Sequence, residues 1–292
     1  MQRLLKWTGI TLGGLVVLAV LAYGVLYVMS EHILRRAYAF ASIPLQVPTD
    51  AESIAKGKRL AKLNGCSEGC HGKGIGGDLM VDEPMIGRLM APNLTSAVRR
   101  YSDAELAAII RTGVRPDGRS VIAMPSDALR LLTDEDLGDI VAYLRSVPPV
   151  EGPGPEVRLG PLTRLAFITG QFKSMAQAVQ DAVPPPAANG EGTQRGRYLA
   201  STTCAGCHGT DLSGGQPYQG GITPPLRIVA AYTPEAFTEL MRNGIALGGR
   251  KLDILMRDYV ARGRMSVLTQ AEITDLYNYL HELPVPPAAR QP

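Results

Sequence analysis

At 292 residues the chain is too long for one small domain and suits an N-terminal segment followed by two domains of about 100 residues each. Thirty Lys and Arg against 27 Asp and Glu leave a formal net charge of only +3, and aromatic residues make up 5%. That balance excludes the basic, aromatic-studded surface nucleic acid requires, so no nucleic-acid partner is expected.

The N-terminus reads as a membrane anchor. Arg3 and Lys6 precede Trp7 to Met29, an uncharged and predominantly apolar stretch long enough for a hydrocarbon core that takes about 20 helical residues. A cleaved signal peptide shares this order of charge and apolarity. Its apolar region is shorter, however, and here Ser30-Glu31-His32 follows with no A-x-A-like cleavage site. Residues 1–49 are therefore expected to be a retained transmembrane anchor with its juxtamembrane segment.

The four cysteines fall into two motifs. Cys204-Ala205-Gly206-Cys207-His208 is a C-x-x-C-H run, and Cys66-Ser67-Glu68-Gly69-Cys70-His71 is the same device with one more residue between its cysteines. The arrangement suits covalent haem: two thiols add to the vinyl groups while the adjacent imidazole reaches the iron. A zinc site wants four protein ligands, and no further cysteine pair remains for one. Two covalently bound haem c groups are expected, with His71 and His208 as iron ligands. The longer first spacer must bulge, and Gly69 is expected to supply the backbone freedom. Haem attachment to exported cytochromes takes place outside the cytoplasm. The expected topology is thus a single pass through the inner membrane, N-terminus cytoplasmic and haem domains periplasmic.

An internal repeat supports the same organisation. Lys56-Gly57-Lys58-Arg59-Leu60-Ala61 precedes Cys66 as Arg195-Gly196-Arg197-Tyr198-Leu199-Ala200 precedes Cys204, each reading as the end of a first helix. Ala91-Pro92-Asn93-Leu94 matches Thr223-Pro224-Pro225-Leu226, and after one deletion the match resumes at Tyr101 and Tyr232. Thr133 and Thr269 are natural N-caps of final helices that must stop by Pro148 and Pro284. Residues 50–150 and 191–292 are read as two copies of one domain.

The repeat also points to the sixth iron ligand. Arg111-Thr112-Gly113 leads through Gly118-Arg119 to Met124-Pro125, and Arg242-Asn243-Gly244 leads through Gly249-Arg250 to Met256 with one insertion. Met124 and Met256 are equivalent, with Met265 the competitor in the second copy. A thioether opposite histidine raises the potential and fills the iron, which favours electron transfer over chemistry on a bound substrate and argues against a diheme peroxidase. The remaining histidines, His32 and His281, stand where surface residues are expected. Between the copies, residues 151–190 read as Pro- and Gly-rich linker around one short helix within Leu162 to Val183, with Phe167, Ile168, Phe172 and Met175 on one face. A packing strut between the domains is expected there, the alternative being a docking surface for a partner subunit or the bilayer surface.

The second haem motif, the Ala91-Pro92-Asn93-Leu94-Thr95 loop, Met124-Pro125 and Leu132 to Pro149 resemble the class I cytochrome c superfamily. The chain is similar to the cytochrome subunits of bacterial membrane-bound alcohol and sugar dehydrogenases. It departs from them in its enlarged first spacer and in having two haem motifs where those subunits usually carry three. The resemblance implies an all-α architecture in which a transmembrane helix is followed by two tandem domains. Each would wrap a few helices around a haem exposed at one edge. It further implies that carbonyls of Pro92 and Pro224 hold the proximal histidines. The expected function is periplasmic electron transfer between respiratory or photosynthetic partners: a quinol-oxidising complex, a dehydrogenase, a terminal oxidase or a reaction centre. The alternative is a fixed electron-transfer subunit of a dehydrogenase or oxidase complex.

Overall fold

The computed structural model describes residues 2–152, 154, 156–188, 190–215, 217–218 and 221–284. Asn189 and the final residues 285–292, assigned above to the linker and the second copy, lie outside the described residues. Helix α1 (Gln2–Leu34) is long and apolar enough from Leu5 to Leu34 to cross a membrane, and among the described residues none covers its most apolar stretch. The segment after it is not a free tether. Tyr38 donates its N–H to the Gly118 carbonyl at 2.9 Å, Ile43 to Ala104 at 3.0 Å, and Ile43, Leu45 and Val47 pack on the first core.

The first half contains α2 (Ala51–Leu63), α3 (Leu94–Arg100), α4 (Asp103–Thr112), the single turn α5 (Ser126–Leu129) and α6 (Asp134–Ser146). Caps set these boundaries. Asp50, Asn93 and Ser102 accept from backbone N–H groups of the first turns of α2, α3 and α4, and Thr133 does so for α6. The apolar faces of α2, α4 and α6 meet through Leu60, Leu106, Leu137, Ile140 and Val141.

Helices α7 (Pro161–Ile168) and α8 (Met175–Asp181) come next, and the second half contains α9 (Glu191–Leu199), α10 (Ala205–His208), α11 (Pro234–Asn243) and α12 (Gln270–His281). A π-helical turn, Ala200–Cys204, joins α9 to α10; a second, Leu255–Ala261, and a 3-10 turn, Arg264–Val267, lead into α12. Leu199, Phe237, Leu240, Ile273, Leu276 and Leu280 form its core.

The expectation of an all-α chain needs correction. Strands β1 (Asp78–Glu83), β2 (Gly87–Ala91) and β3 (Glu156–Leu159) form an antiparallel sheet in that order, and two short hairpins, β4–β5 (Pro217–Tyr218 with Gly221–Ile222) and β6–β7 (Ile245–Ala246 with Arg250–Lys251), lie in the second half. Strand β3 comes from the segment read as linker. The single helix expected there is two, divided at Thr169 and Gly170, whose φ of +73° ends α7. Phe172 is exposed beyond that break while Phe167 is buried. Helix α7 packs on α1 and α8 on α4 and α5, and the end of the segment meets the second half: the Pro185 and Pro186 carbonyls accept from Arg197 at 3.0 and 2.8 Å, Pro186 also accepts from the Tyr279 hydroxyl at 2.8 Å, and Ala188 packs on the second core.

Each half is closed by its first helix crossing its last through a glycine. A Cβ on Gly57 would stand 1.8 Å from the Asp139 carbonyl oxygen, and one on Gly196 would stand 1.9 Å from that of Asp275. The two halves then dock with repeat-related contacts. Arg59 donates both Nη groups to Glu272 at 3.0 Å each, while its counterpart Tyr198 donates its hydroxyl to Asp136, the counterpart of Glu272, at 2.6 Å. Residue and partner exchange roles across the interface, the mark of a pseudo-twofold axis.

Two outcomes follow from this packing. Gly57→Ala must push α2 away from α6 and should destabilise the protein by about 3 kcal/mol, measured by denaturant unfolding. For Glu272, burial raises the carboxyl pKa, but hydrogen bonds from Arg59, the Thr269 backbone and Arg195 more than offset this, and it falls from 4.5 to about 2. A depressed folded-state pKa gives stability that is present above pH 4.5 and lost as pH falls towards about 2, on the order of 3 kcal/mol at most. Urea unfolding across that range should show the loss, and Glu272→Gln should abolish the pH step; an unchanged step in the variant would contradict its origin in Glu272.

Candidate functional site

In the first motif the chain leaves α2 at Asn64 and makes a tight loop. Cys66 and Ser67 N–H groups both point to the Ala61 carbonyl, at 2.8 and 3.2 Å, and Cys70 N–H reaches the Gly65 carbonyl at 3.1 Å. The extra spacer residue is accommodated differently from the expectation. Gly65 (φ +79°) and Glu68 (φ +55°) take left-handed conformations, whereas Gly69 is needed for space, since a Cβ there would come 3.0 Å from the Gly65 carbonyl. Lys62 pairs with Glu68 at 2.8 Å across this loop. The second motif needs no bulge: Cys204 ends the π-helical turn and α10 carries Ala205 to His208.

Both histidines are buried, at 9% and 8% exposure, and both are held the same way. Nδ1 of His71 lies 2.8 Å from the Pro92 carbonyl oxygen, and Nδ1 of His208 lies 2.8 Å from that of Pro224. Burial pushes both imidazole pKa values down, only partly countered by these bonds, so the rings are neutral near pH 7. With Nδ1–H donated to a carbonyl, Nε2 carries the lone pair, and it has no hydrogen-bond partner among the described residues. That is the donor state a metal requires.

All four cysteines are free thiols. Burial, with the neighbouring Cys70, pushes Cys66 up to about 12, and burial raises Cys70 and Cys204 as well. Two free cysteine sulfurs beside a neutral imidazole with an open nitrogen fit covalent haem in each half, and every sulfur is available for a thioether.

The methionines differ in setting. Met124 is half-buried and packs on the first core, as Cys66 does. Met256 is half-buried at the start of its π-helical turn, where the Asp253 carboxylate accepts from the N–H groups of Leu255 and Met256 at 3.0 and 3.2 Å. Met265 is 1% exposed within the second core. His32 and His281 are exposed. The one acidic cluster with ligand-like spacing among the described residues, Glu135, Asp136 and Asp139, surrounds the Lys56 ammonium at 2.6, 3.0 and 2.9 Å and is an ion-pair network.

The two motifs are neighbours across the interface. A Cβ on Gly206 would touch the Pro125 ring at 3.0 Å, so the second motif lies against the residue after Met124. Arg264 spans both motifs: its Nε donates to the Leu63 carbonyl at 3.1 Å and its Nη2 to the Thr203 carbonyl at 3.0 Å. Sequence reasoning missed Arg264, Arg59 and Glu272, whose partners lie far along the chain. Gly57 and Gly196 stand at one position of both first helices, which is the sequence signal available for a close helix crossing.

A family model for cytochrome c matches residues 54–148 and 193–284. The chain is 29% identical over 218 residues to the cytochrome c subunit of a quinone alcohol dehydrogenase from Gluconacetobacter polyoxogenes and, to the same extent, to that from Komagataeibacter europaeus; the match covers 64% of this chain and 46% of each relative. It is 29% identical over 178 residues to a fructose dehydrogenase cytochrome subunit from Gluconobacter japonicus, covering 56% of this chain and 36% of that one. The chain thus spans less than half the length of these relatives. The two stretches matched by the family model contain both histidine–proline pairs and make up most of the sequence, and the protein belongs to the cytochrome c family.

Proposed function

We propose that the chain is a membrane-anchored diheme cytochrome that transfers single electrons on the periplasmic side of the inner membrane. The supporting observation is the duplicated geometry: two cysteine pairs, each followed by a buried neutral histidine whose Nδ1 lies 2.8 Å from a proline carbonyl. Cys66, Cys70, Cys204 and Cys207 would hold the two groups, and His71 and His208 would ligate their irons. When bound, each haem iron supplies a one-electron couple. The chain orients each imidazole through Pro92 or Pro224, keeps it buried, and would offer a thioether as a further ligand. Met124 is that thioether in the first half. Met256 is its counterpart, because it is half-buried at the repeat-equivalent position while Met265 fills the core.

The anchor reading rests on the dimensions of α1. From Trp7 to Tyr27 the helix rises about 30 Å, the thickness of a hydrocarbon core, with an aromatic side chain at each end as interfacial belts prefer. At the Tyr27 end the buried Arg164 of α7 lies 4.0 Å over the Tyr27 ring and donates to Ser30 Oγ at 2.7 Å and Glu31 Oε1 at 3.0 Å. This contact, with the packed segment after α1, supports a first haem domain held at a set height above the bilayer.

The relatives favour a second reading, in which the chain is the electron-transfer subunit of a membrane-bound dehydrogenase. Isolation of the native complex in mild detergent separates the two. The chain should begin at or near Met1 by intact mass, and a stoichiometric dehydrogenase partner marks a fixed subunit whereas its absence marks a carrier. A chain beginning near Ser30 and free in the periplasm would overturn the anchor.

Pyridine haemochrome analysis should give two covalent c haems per chain, falling to one when Cys66 and Cys70 are both replaced by Ala. Met124→Ala and Met256→Ala should each lower the potential of one haem and remove one share of the near-infrared sulfur-to-iron absorption, since a thioether favours the reduced iron. Loss of that share in Met265→Ala, with none in Met256→Ala, would reassign the second ligand.

A further inference from the structure

We propose that Arg264 is a positioning residue for electron exchange between the two haem sites: its guanidinium fastens the two attachment loops to each other and places one positive charge beside both. The inference rests on the two-haem reading above. It goes further in naming the residue that couples the sites.

Three observations carry it. The first is connectivity. Leu63 lies three residues before Cys66 and Thr203 directly before Cys204, in different halves, and one planar guanidinium donates to both carbonyls, at 3.1 and 3.0 Å. A rigid fork of this kind fixes the spacing and angle of two acceptors in a way a flexible ammonium does not. A Cβ on Gly65 would lie 3.5 Å from Arg264 Cζ, so the first loop also closes directly over the charged group.

The second is charge. Arg264 is half-buried, and no carboxylate among the described residues pairs with it. Arg59 and Arg195, also at or near the interface, are both paired with Glu272. An uncompensated cation destabilises the more positive oxidised form of any redox centre beside it and raises that centre's potential.

The third is broken symmetry. Counting back from the threonine caps Thr269 and Thr133, Arg264 falls where the first half has Ala128. Ala128 is 1% exposed and packs into the second half's core, an apolar plug with no reach. Beside the motifs the pseudo-twofold interface therefore carries a charged clamp that has no repeat-related counterpart, contributed by one half and serving both. The exchange it organises is a one-electron step that oxidises one site and reduces the other, with no proton or outside reagent.

The test uses the full-length holoprotein in detergent, with two variants and two readouts. In a spectroelectrochemical titration, Arg264→Gln should lower both midpoint potentials together, by about tenfold in each reduction equilibrium, or ~59 mV for a one-electron couple. Arg264→Lys keeps the charge and should leave both midpoints near wild type. It loses the fork, however, and should slow redistribution of a photoinjected electron between the haems by at least about tenfold, the scale on which misplacement of reacting groups acts. A shift confined to one midpoint, equal shifts in the Lys and Gln variants, or an unchanged internal rate in Arg264→Lys would each overturn the proposal. If Arg264→Gln does not fold, the Arg264→Lys rate and midpoints decide. Haem count on the same preparations separates the two levels: two haems with these contrary results sink the role of Arg264 alone, and one haem per chain sinks the reading beneath it as well.

Discussion

The structure is organised around the bond between a motif histidine and a proline carbonyl. Pro92 follows His71 by 21 residues and Pro224 follows His208 by 16, yet both pairs close to 2.8 Å. The difference of five residues (21 − 16) is absorbed in the first half by the β1–β2 hairpin, whose second strand runs directly into Pro92. The ring geometry is thus held constant while the loop that delivers it varies. That is expected if the fixed requirement is an imidazole with Nδ1 occupied and Nε2 open, since either tautomer error would cost the ligand.

Holding the ring requires a rigid frame, and the helix crossing at Gly57 and Gly196 supplies it. The backbone of α2 rests on that of α6, and α9 on α12, so each motif begins from a helix that cannot shift without moving the last one. Lys56 reaches Asp136 and Asp139 across the first crossing, and Arg195 reaches Glu272 and Asp275 across the second, the same pattern with different cations. The same final-helix carboxylates then serve the interface, through Tyr198 on Asp136 and Arg59 on Glu272. One short stretch of sequence in each half therefore fixes both the internal frame and the docking. Adjacency of the two motifs follows from that shared use.

The segment between the halves shows how context converts linker composition into structure. Its proline and glycine content reads as a loop, but β3 has an open edge of β2 to pair with, α7 has the end of α1 beneath it, and α8 has the floor formed by α4 and α5. None of these surfaces is local in sequence. Arg164 illustrates the point: in a mostly apolar octapeptide it looks like a solvated charge, and it is buried because Tyr27, Ser30 and Glu31 form a site for it.

The sequence by itself determined what depends on short-range chemistry. The cysteine–histidine spacings, the threonine caps of α6 and α12, the repeated frame and the apolar N-terminal run were all legible, because each follows from residues within a turn or two of one another or from matching one half to the other. Strands β1 to β3 were not legible, since a strand needs a partner edge and β3 finds its own some 70 residues away. The conformation of the enlarged spacer was misjudged for a related reason: Gly69 stood beside the cysteine, but Gly65 and Glu68 carry the positive φ, because the carbonyl that must accept Cys70 N–H lies at Gly65. Only the tertiary structure decided that the two halves meet at their motifs and that Arg264 joins them, because a guanidinium's partners are set by packing of groups 61 and 201 residues apart, a distance over which local propensity carries no information.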